Sequence, residues 1–94
     1  MGRVKDKVIL VTGGAMGMGQ AHCELLASEG ARLFVAYMNA ELGEAVAAGI
    51  RQRGGRAEFL NLNVTDVAQW SSVVEQIVKR AGRIDVLVNN AGIV

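Results

Sequence analysis

The chain has a single cysteine, Cys23, in 94 residues. One thiol excludes an intrachain disulfide, and the default home of such a chain is the reducing cytoplasm. Net charge is nearly absent: ten Lys and Arg against nine Asp and Glu leave +1. That balance excludes the basic footprint of a nucleic-acid binder and offers nothing to a charged membrane surface. No apolar run approaches the roughly 20 residues of a membrane-spanning helix, and residues 1–7 lack the apolar stretch of a signal peptide. Gly2 is followed by Asp6 where myristoylation wants Ser or Thr. The one histidine, His22, has no second cluster of ligand-type residues near it, so no metal site is expected and a solvated or packed imidazole accounts for it.

What is present is apolar residues, 51% of the chain, and twelve glycines. The length allows one small domain, residues 1–94. Its organising stretch is Thr12-Gly13-Gly14-Ala15-Met16-Gly17-Met18-Gly19, directly after the apolar run Val8-Ile9-Leu10-Val11. A strand, a glycine turn and a helix in that order bring backbone N–H groups and the positive end of a helix dipole to one place, which suits a phosphate. A triphosphate P-loop is excluded. Gly14 and Gly19 have its outer spacing, but Gln20 and Ala21 stand where Lys and a hydroxyl residue must follow.

The rest of the chain alternates. Strands are expected at residues 8–11, 32–37, 57–62 and 84–88, and helices from about residue 17 to 29, after an Asn39 cap, and after a Thr65 cap. The expected inward residues are Met18, Ala21, Leu25 and Leu26 on helix one. On helix two they are Leu42, Ala45, Val46, Gly49 and Ile50. On helix three they are Val67, Trp70, Val73, Val74, Ile77, Val78 and Ala81. Gly30, Gly54-Gly55 and Gly82 supply the stops. The sum, βαβαβαβ, predicts an α/β fold: a partial Rossmann-type doubly wound parallel sheet of order 3-2-1-4, with its ligand crevice at the carboxyl ends of strands one and four. Strand three alternates as an edge strand should, whereas Val86-Leu87-Val88 is apolar on both faces although it also falls at an edge. Two chains joining there, or a C-terminal half covering it, are the expected outcomes.

These residues resemble the short-chain dehydrogenases/reductases. Thr12-Gly13-x-x-x-Gly17-x-Gly19 is similar to that family's cofactor motif, and Asn89-Asn90-Ala91-Gly92 to its second signature. Asn63-Val64-Thr65-Asp66 is similar to its Asp-Val element at the adenine. The resemblance implies the nicotinamide-dinucleotide-binding portion of an oxidoreductase. Its cofactor contacts would come from Gly13, Ala15, Met16, Gly17, Met18 and Gly19, from Tyr37, Asn63 and Val64, and from Asn90, Ala91 and Gly92. Two departures stand out, one in the cofactor contacts and one in the catalytic residues. Tyr37 occupies the place of the ribose-binding acid, and either packs on the adenosine or simply closes the strand. No basic residue waits for a 2′-phosphate, since Met16 and Met38 hold those places, which favours NAD over NADP. Asn63 replaces an Asp, and its amide oxygen is expected still to accept from the adenine amino group. The family's acid, a tyrosine in Tyr-x-x-x-Lys, has no match, because the only tyrosine, Tyr37, is followed four residues later by Glu41. No catalytic residue is therefore assigned, and a stand-alone, non-catalytic dinucleotide-binding or assembly module is the competing reading.

Overall fold

The computed structural model describes residues 5–12, 17–63 and 65–89, with the side chains of 17–19 and 89 left aside. Strands β1 (Val8–Thr12), β2 (Arg32–Tyr37), β3 (Arg56–Asn61) and β4 (Val86–Asn89) alternate with helices α1 (Gly17–Ser28), α2 (Ala40–Gln52) and α3 (Val67–Ala81). The strands form one parallel sheet in the order β3-β2-β1-β4, as expected from the alternation. β1 is buried along its whole length, which is why it reads as an unbroken apolar run.

The pleat sends alternate residues to two cores. Ile9, Val11, Leu33, Val35 and Ala57 meet Cys23 and Ala27 of α1 and Val46, Ala47 and Ile50 of α2. Val8, Leu10, Phe34, Ala36, Leu60 and Leu62 meet Val73 and Ile77 of α3, with Trp70 and Ala81 packed at the margin.

The helix faces depart from the apolar stripes. On α1 Cys23 and Ala27 are buried and Leu26 packs against the same core as expected, while Ala21 is exposed and Leu25 is 57% exposed. On α2 the buried residues are Gly43, Val46, Ala47 and Ile50, and Leu42 and Ala45 face out. The cause is Gly43. Its missing side chain lets the helix lie directly on the Phe59 ring of β3, where a Cβ would overlap the aromatic carbons. That contact turns the helix by about one residue, roughly 100°. On α3 only Val73 and Ile77 are fully buried, and Val67, Val74 and Val78 are exposed. α3 is the one described helix on its side of the sheet, so no other described element covers its flanks.

The ends follow local chemistry. Asn39 caps α2 as expected, accepting from Leu42 N at 3.1 Å. α3 is capped by Asp66 rather than Thr65: Asp66 Oδ1 accepts from Ala68 N at 2.9 Å and Gln69 N at 3.2 Å. Gly82 adopts φ +85 and donates to Val78 O, the left-handed stop its position implied. β1 runs one residue beyond expectation, to a buried Thr12. β3 lies one residue earlier than expected, with Leu62 still buried just past its end. β4 begins at Val86 rather than residue 84. Ahead of it the Asp85 carboxylate takes the place of a ladder carbonyl, accepting from Val8 N at 2.8 Å while Asp85 N donates to Val8 O at 2.8 Å.

The two sheet edges differ. On β3, Arg51 donates to the Ala57 carbonyl at 2.9 Å and is held by Glu44 at 2.7 Å. Glu58 bridges Arg32 and Arg80 at 3.1 and 2.8 Å. Polar side chains blunt that edge. β4 instead shows Val86 at 40% and Leu87 at 53% exposure.

Candidate functional site

The four strands end on one side of the molecule, and of the residues singled out in the sequence Tyr37 and Asn63 lie at those ends, with Gly17 opening the helix that follows β1. Thr12 closes β1 and pairs in register with Asn89 at the end of β4. Gly17 opens α1 five positions after Thr12, so only residues 13–16 separate the buried central strand from a helix N-terminus. Gly13, Ala15 and Met16 of that stretch lie outside the described residues, as do Val64, Asn90, Ala91 and Gly92. Gly17, Met18 and Gly19 form the first turn of α1.

That first turn contains no acidic residue. α2 opens with Glu41 and the Asn39 cap, and α3 with the Asp66 cap. The leading N–H groups of those two helices therefore have carboxylates or side-chain acceptors close by. α1 brings no carboxylate of its own to the end that would face an anion.

Tyr37 ends β2, half-buried, with its side chain against the core shared with α1 and α2. Its carbonyl accepts from Leu62 N at 3.1 Å, holding the chain that leaves β3 beside the end of β2. Asn63 follows, half-buried, with its N–H donating to Gln69 Oε1 at 2.7 Å. Its amide oxygen accepts from both Thr65 N at 3.0 Å and Thr65 Oγ1 at 2.7 Å. The expectation that this oxygen remains available is corrected here, because both lone pairs are engaged within the turn. Gln69, which positions the Asn63 backbone, went unnoticed in the sequence. The visible signal was an acid followed three residues later by Gln, Asp66-x-x-Gln69, at a helix start.

The groups with perturbed proton affinity lie elsewhere. Asp85 is held below the usual carboxylate range by the Val8 N–H and by Arg83, whose Nε donates to it at 2.8 Å. This pair sits at the amino end of β4, away from the crevice, and its role is structural. Burial, aided by the Glu24 carboxylate, pushes the Cys23 thiol up to about 11. An open cleft of about 260 Å³ lies between the C-terminal ends of α1 and α2, lined by Ile50 and Gly55 among others. It is crossed by the Arg53–Glu24 pair at 3.3 Å and does not reach the strand ends. Among the described residues no group of His, Cys, Asp and Glu could hold a metal, and no helix is long and apolar enough to cross a membrane.

A parallel sheet in this order, with a glycine-rich sequence between β1 and α1 where the strand order reverses, defines a doubly wound α/β protein of the nucleotide-binding kind. Comparison with known proteins narrows the class. The short chain dehydrogenase profile matches residues 7–94, and the chain belongs to that family. It is 57% identical over 93 residues to a cyclopentanol dehydrogenase of Comamonas sp. (strain NCIMB 9872), an alignment covering 99% of this chain and 37% of the relative. An oxidoreductase from Haemophilus influenza, solved with bound NAD, superposes with a TM-score of 0.90 at 30% identity, over 95% of this chain and 32% of that one. A metagenomic short-chain oxidoreductase solved in complex with NADP superposes with a TM-score of 0.90 at 33% identity, over 96% of this chain and 41% of that one. The chain thus spans between about a third and two fifths of the length of these relatives, from 32% to 41%.

Proposed function

We propose that these residues form the dinucleotide-binding portion of an oxidoreductase that passes hydride between a nicotinamide cofactor and an alcohol or carbonyl. One observation carries the reading: the buried β1 strand is followed, after the glycine-rich sequence of residues 13–16, by α1 at the switch point of the sheet, in a chain of the short chain dehydrogenase family. The pyrophosphate lies against the turn and Gly17–Gly19. The adenosine extends over Tyr37 toward Asn63 and Val64. Asn90, Ala91 and Gly92, beyond β4, wall the nicotinamide side. The cofactor, when bound, supplies the hydride, and these residues hold and orient it. NAD is favoured over NADP, because Met38, 63% exposed beside the end of β2, offers no charge to a 2′-phosphate. The relative with the higher identity described above is named as a dehydrogenase, which favours this reading over a non-catalytic module.

The test is calorimetric titration of NAD, NADP and ADP against the chain and against Gly17→Trp, which fills the phosphate approach. Loss of binding in the variant supports the site; equal binding by both proteins sinks it. The 94 residues contain no Tyr-x-x-x-Lys, so this chain by itself is expected to turn over no carbonyl or alcohol. General acid–base participation is worth about 10²–10⁴ in rate. Nicotinamide oxidation that co-purifies with the chain and survives a contaminant control would contradict that.

A further inference from the structure

Asn63 departs from the acid its family resemblance leads one to expect, and the hydrogen bonds around it show what the change does. Thr65 N is a backbone donor and has to face an acceptor, so the amide atom 3.0 Å from it is the oxygen. The Thr65 hydroxyl adds a second donor to the same oxygen at 2.7 Å. This fixes the orientation of the whole amide: Nδ2, with its two hydrogens, is the atom that the turn does not engage. Among the described residues nothing accepts from it. The turn is held from behind as well, by Gln69 on Asn63 N at 2.7 Å and by Asp66 N on Asn63 O at 2.9 Å.

The position of Asn63 follows from the sheet. Phosphates belong at the start of α1, beside the end of β1, and the ribose at the end of β2. Strands lie about 4.8 Å apart, so the end of β3 is roughly 10 Å from that of β1, with β2 between. Leu62 is bound to the end of β2, and Asn63 is the next residue. The base of a bound adenosine, continuing past the ribose, arrives at Asn63.

At its 6-position adenine carries an amino donor, while a 6-oxopurine carries an acceptor. A carboxylate in this turn satisfies Thr65 with one oxygen and offers the other as an acceptor for the adenine amino group. Asn63 keeps the first function and reverses the second. We propose that Asn63 presents an amide donor to the purine 6-position, so that this site lacks the selection for adenine over a 6-oxopurine that a carboxylate would impose. The inference rests on the dinucleotide reading given above.

The experiment titrates ADP and inosine 5′-diphosphate into the chain and into Asn63→Asp, which retains an acceptor for Thr65 N. The quantity read is the ratio of the two dissociation constants in each protein. Taking this ratio cancels the repulsion between the new carboxylate and the phosphates, and any preference arising elsewhere on the base. In Asn63→Asp the ratio is expected to move toward adenine by about 10–100-fold, since a charge-assisted bond is gained with one base and a neutral one lost with the other. Should that variant fail to fold, Asn63→Ser keeps a short acceptor for the turn and removes the amide donor. Its ratio is expected to move in the same direction by about two- to tenfold. An unchanged ratio in a folded variant overturns the proposal and leaves the dinucleotide site standing. Binding of neither nucleotide by the folded native chain overturns both.

Discussion

α2 contains a natural pair of opposing experiments. Gly43 and Gly49 are both interior to the helix, and alanine is about 1 kcal/mol better than glycine at such positions. A Cβ on Gly49 meets nothing within 4 Å, so Gly49→Ala should gain most of that, about 0.5–1 kcal/mol. A Cβ on Gly43 would overlap Cε1 and Cδ1 of Phe59. Overpacking of that kind costs about 1–3 kcal/mol. The Phe59 ring is half-buried on an outer strand and can swing partly aside, which places the cost in the lower half of that range. After the helical gain, Gly43→Ala should lose about 0.5–1 kcal/mol. For a domain of this size 1 kcal/mol moves Tm by about 4–8 °C. Thermal melts followed by far-ultraviolet circular dichroism should therefore show the two alanine variants on opposite sides of the native chain, roughly 5–15 °C apart. Phe59→Leu in the Gly43→Ala background should recover part of the loss, a coupling that a double-mutant cycle isolates. If both alanines raise Tm, the helix does not rest on Phe59, and the account of its rotated face is wrong.

Three further outcomes are expected. The exposed edge of β4 should pair two copies of this chain, so sedimentation velocity at micromolar concentration should show a dimer that Leu87→Lys dissociates; a native monomer unaffected by that charge would refute it. The carboxyl of Asp85 titrates lower folded than unfolded, so its contribution is complete above the unfolded value of about 4 and is lost as pH falls through the folded one. The Tm gap between the native chain and Asp85→Ala should accordingly be constant near neutrality and close in acid, and a gap unchanged down to about pH 2 would contradict it. Cys23, fully buried with its thiol pushed up to about 11, should resist iodoacetamide at pH 8 until denaturant is added, and prompt alkylation of the folded chain would count against its placement.

The strands and their order were legible because a strand buried on both faces needs no partner to be recognised: Leu33-Phe34-Val35-Ala36 reads as core from any direction. Helix faces were legible only in part, because orientation depends on what each helix touches: Val46, Ile50, Val73 and Ile77 are buried as their stripes implied, and their expected neighbours Leu42, Ala45, Val74 and Val78 are not. Gly43 looks like a gap in an apolar stripe, yet it is the point of closest approach, while Val74 and Val78 look like core on a flank that no described element covers. The site was legible as a set of residue types at strand ends. Its polarity was not. Thr65 and Asp66 are adjacent, and either could cap α3; once Asp66 does, Thr65 turns back onto Asn63 and uses up the oxygen on which the adenine contact depended. That choice rests on hydrogen bonds a residue or two away, which no periodicity records.

The tie between Asp85 and Val8 also bears on how the chain is made. It joins residues 77 positions apart, the same long separation as every β1–β4 partner in a sheet whose first described strand lies at its centre. β2 and β3 reach their neighbours after one short helix each. β1 keeps one flank open until β4 has been synthesised and delivered around α3. Non-local parallel pairing of this kind is slow. Until it forms, Val8-Ile9-Leu10-Val11 is itself a bare aliphatic edge, and so a target for chaperones or for another nascent chain. Stalling of translation between residues 62 and 85 should leave the chain in its most aggregation-prone form, with the future centre of its sheet still on the outside.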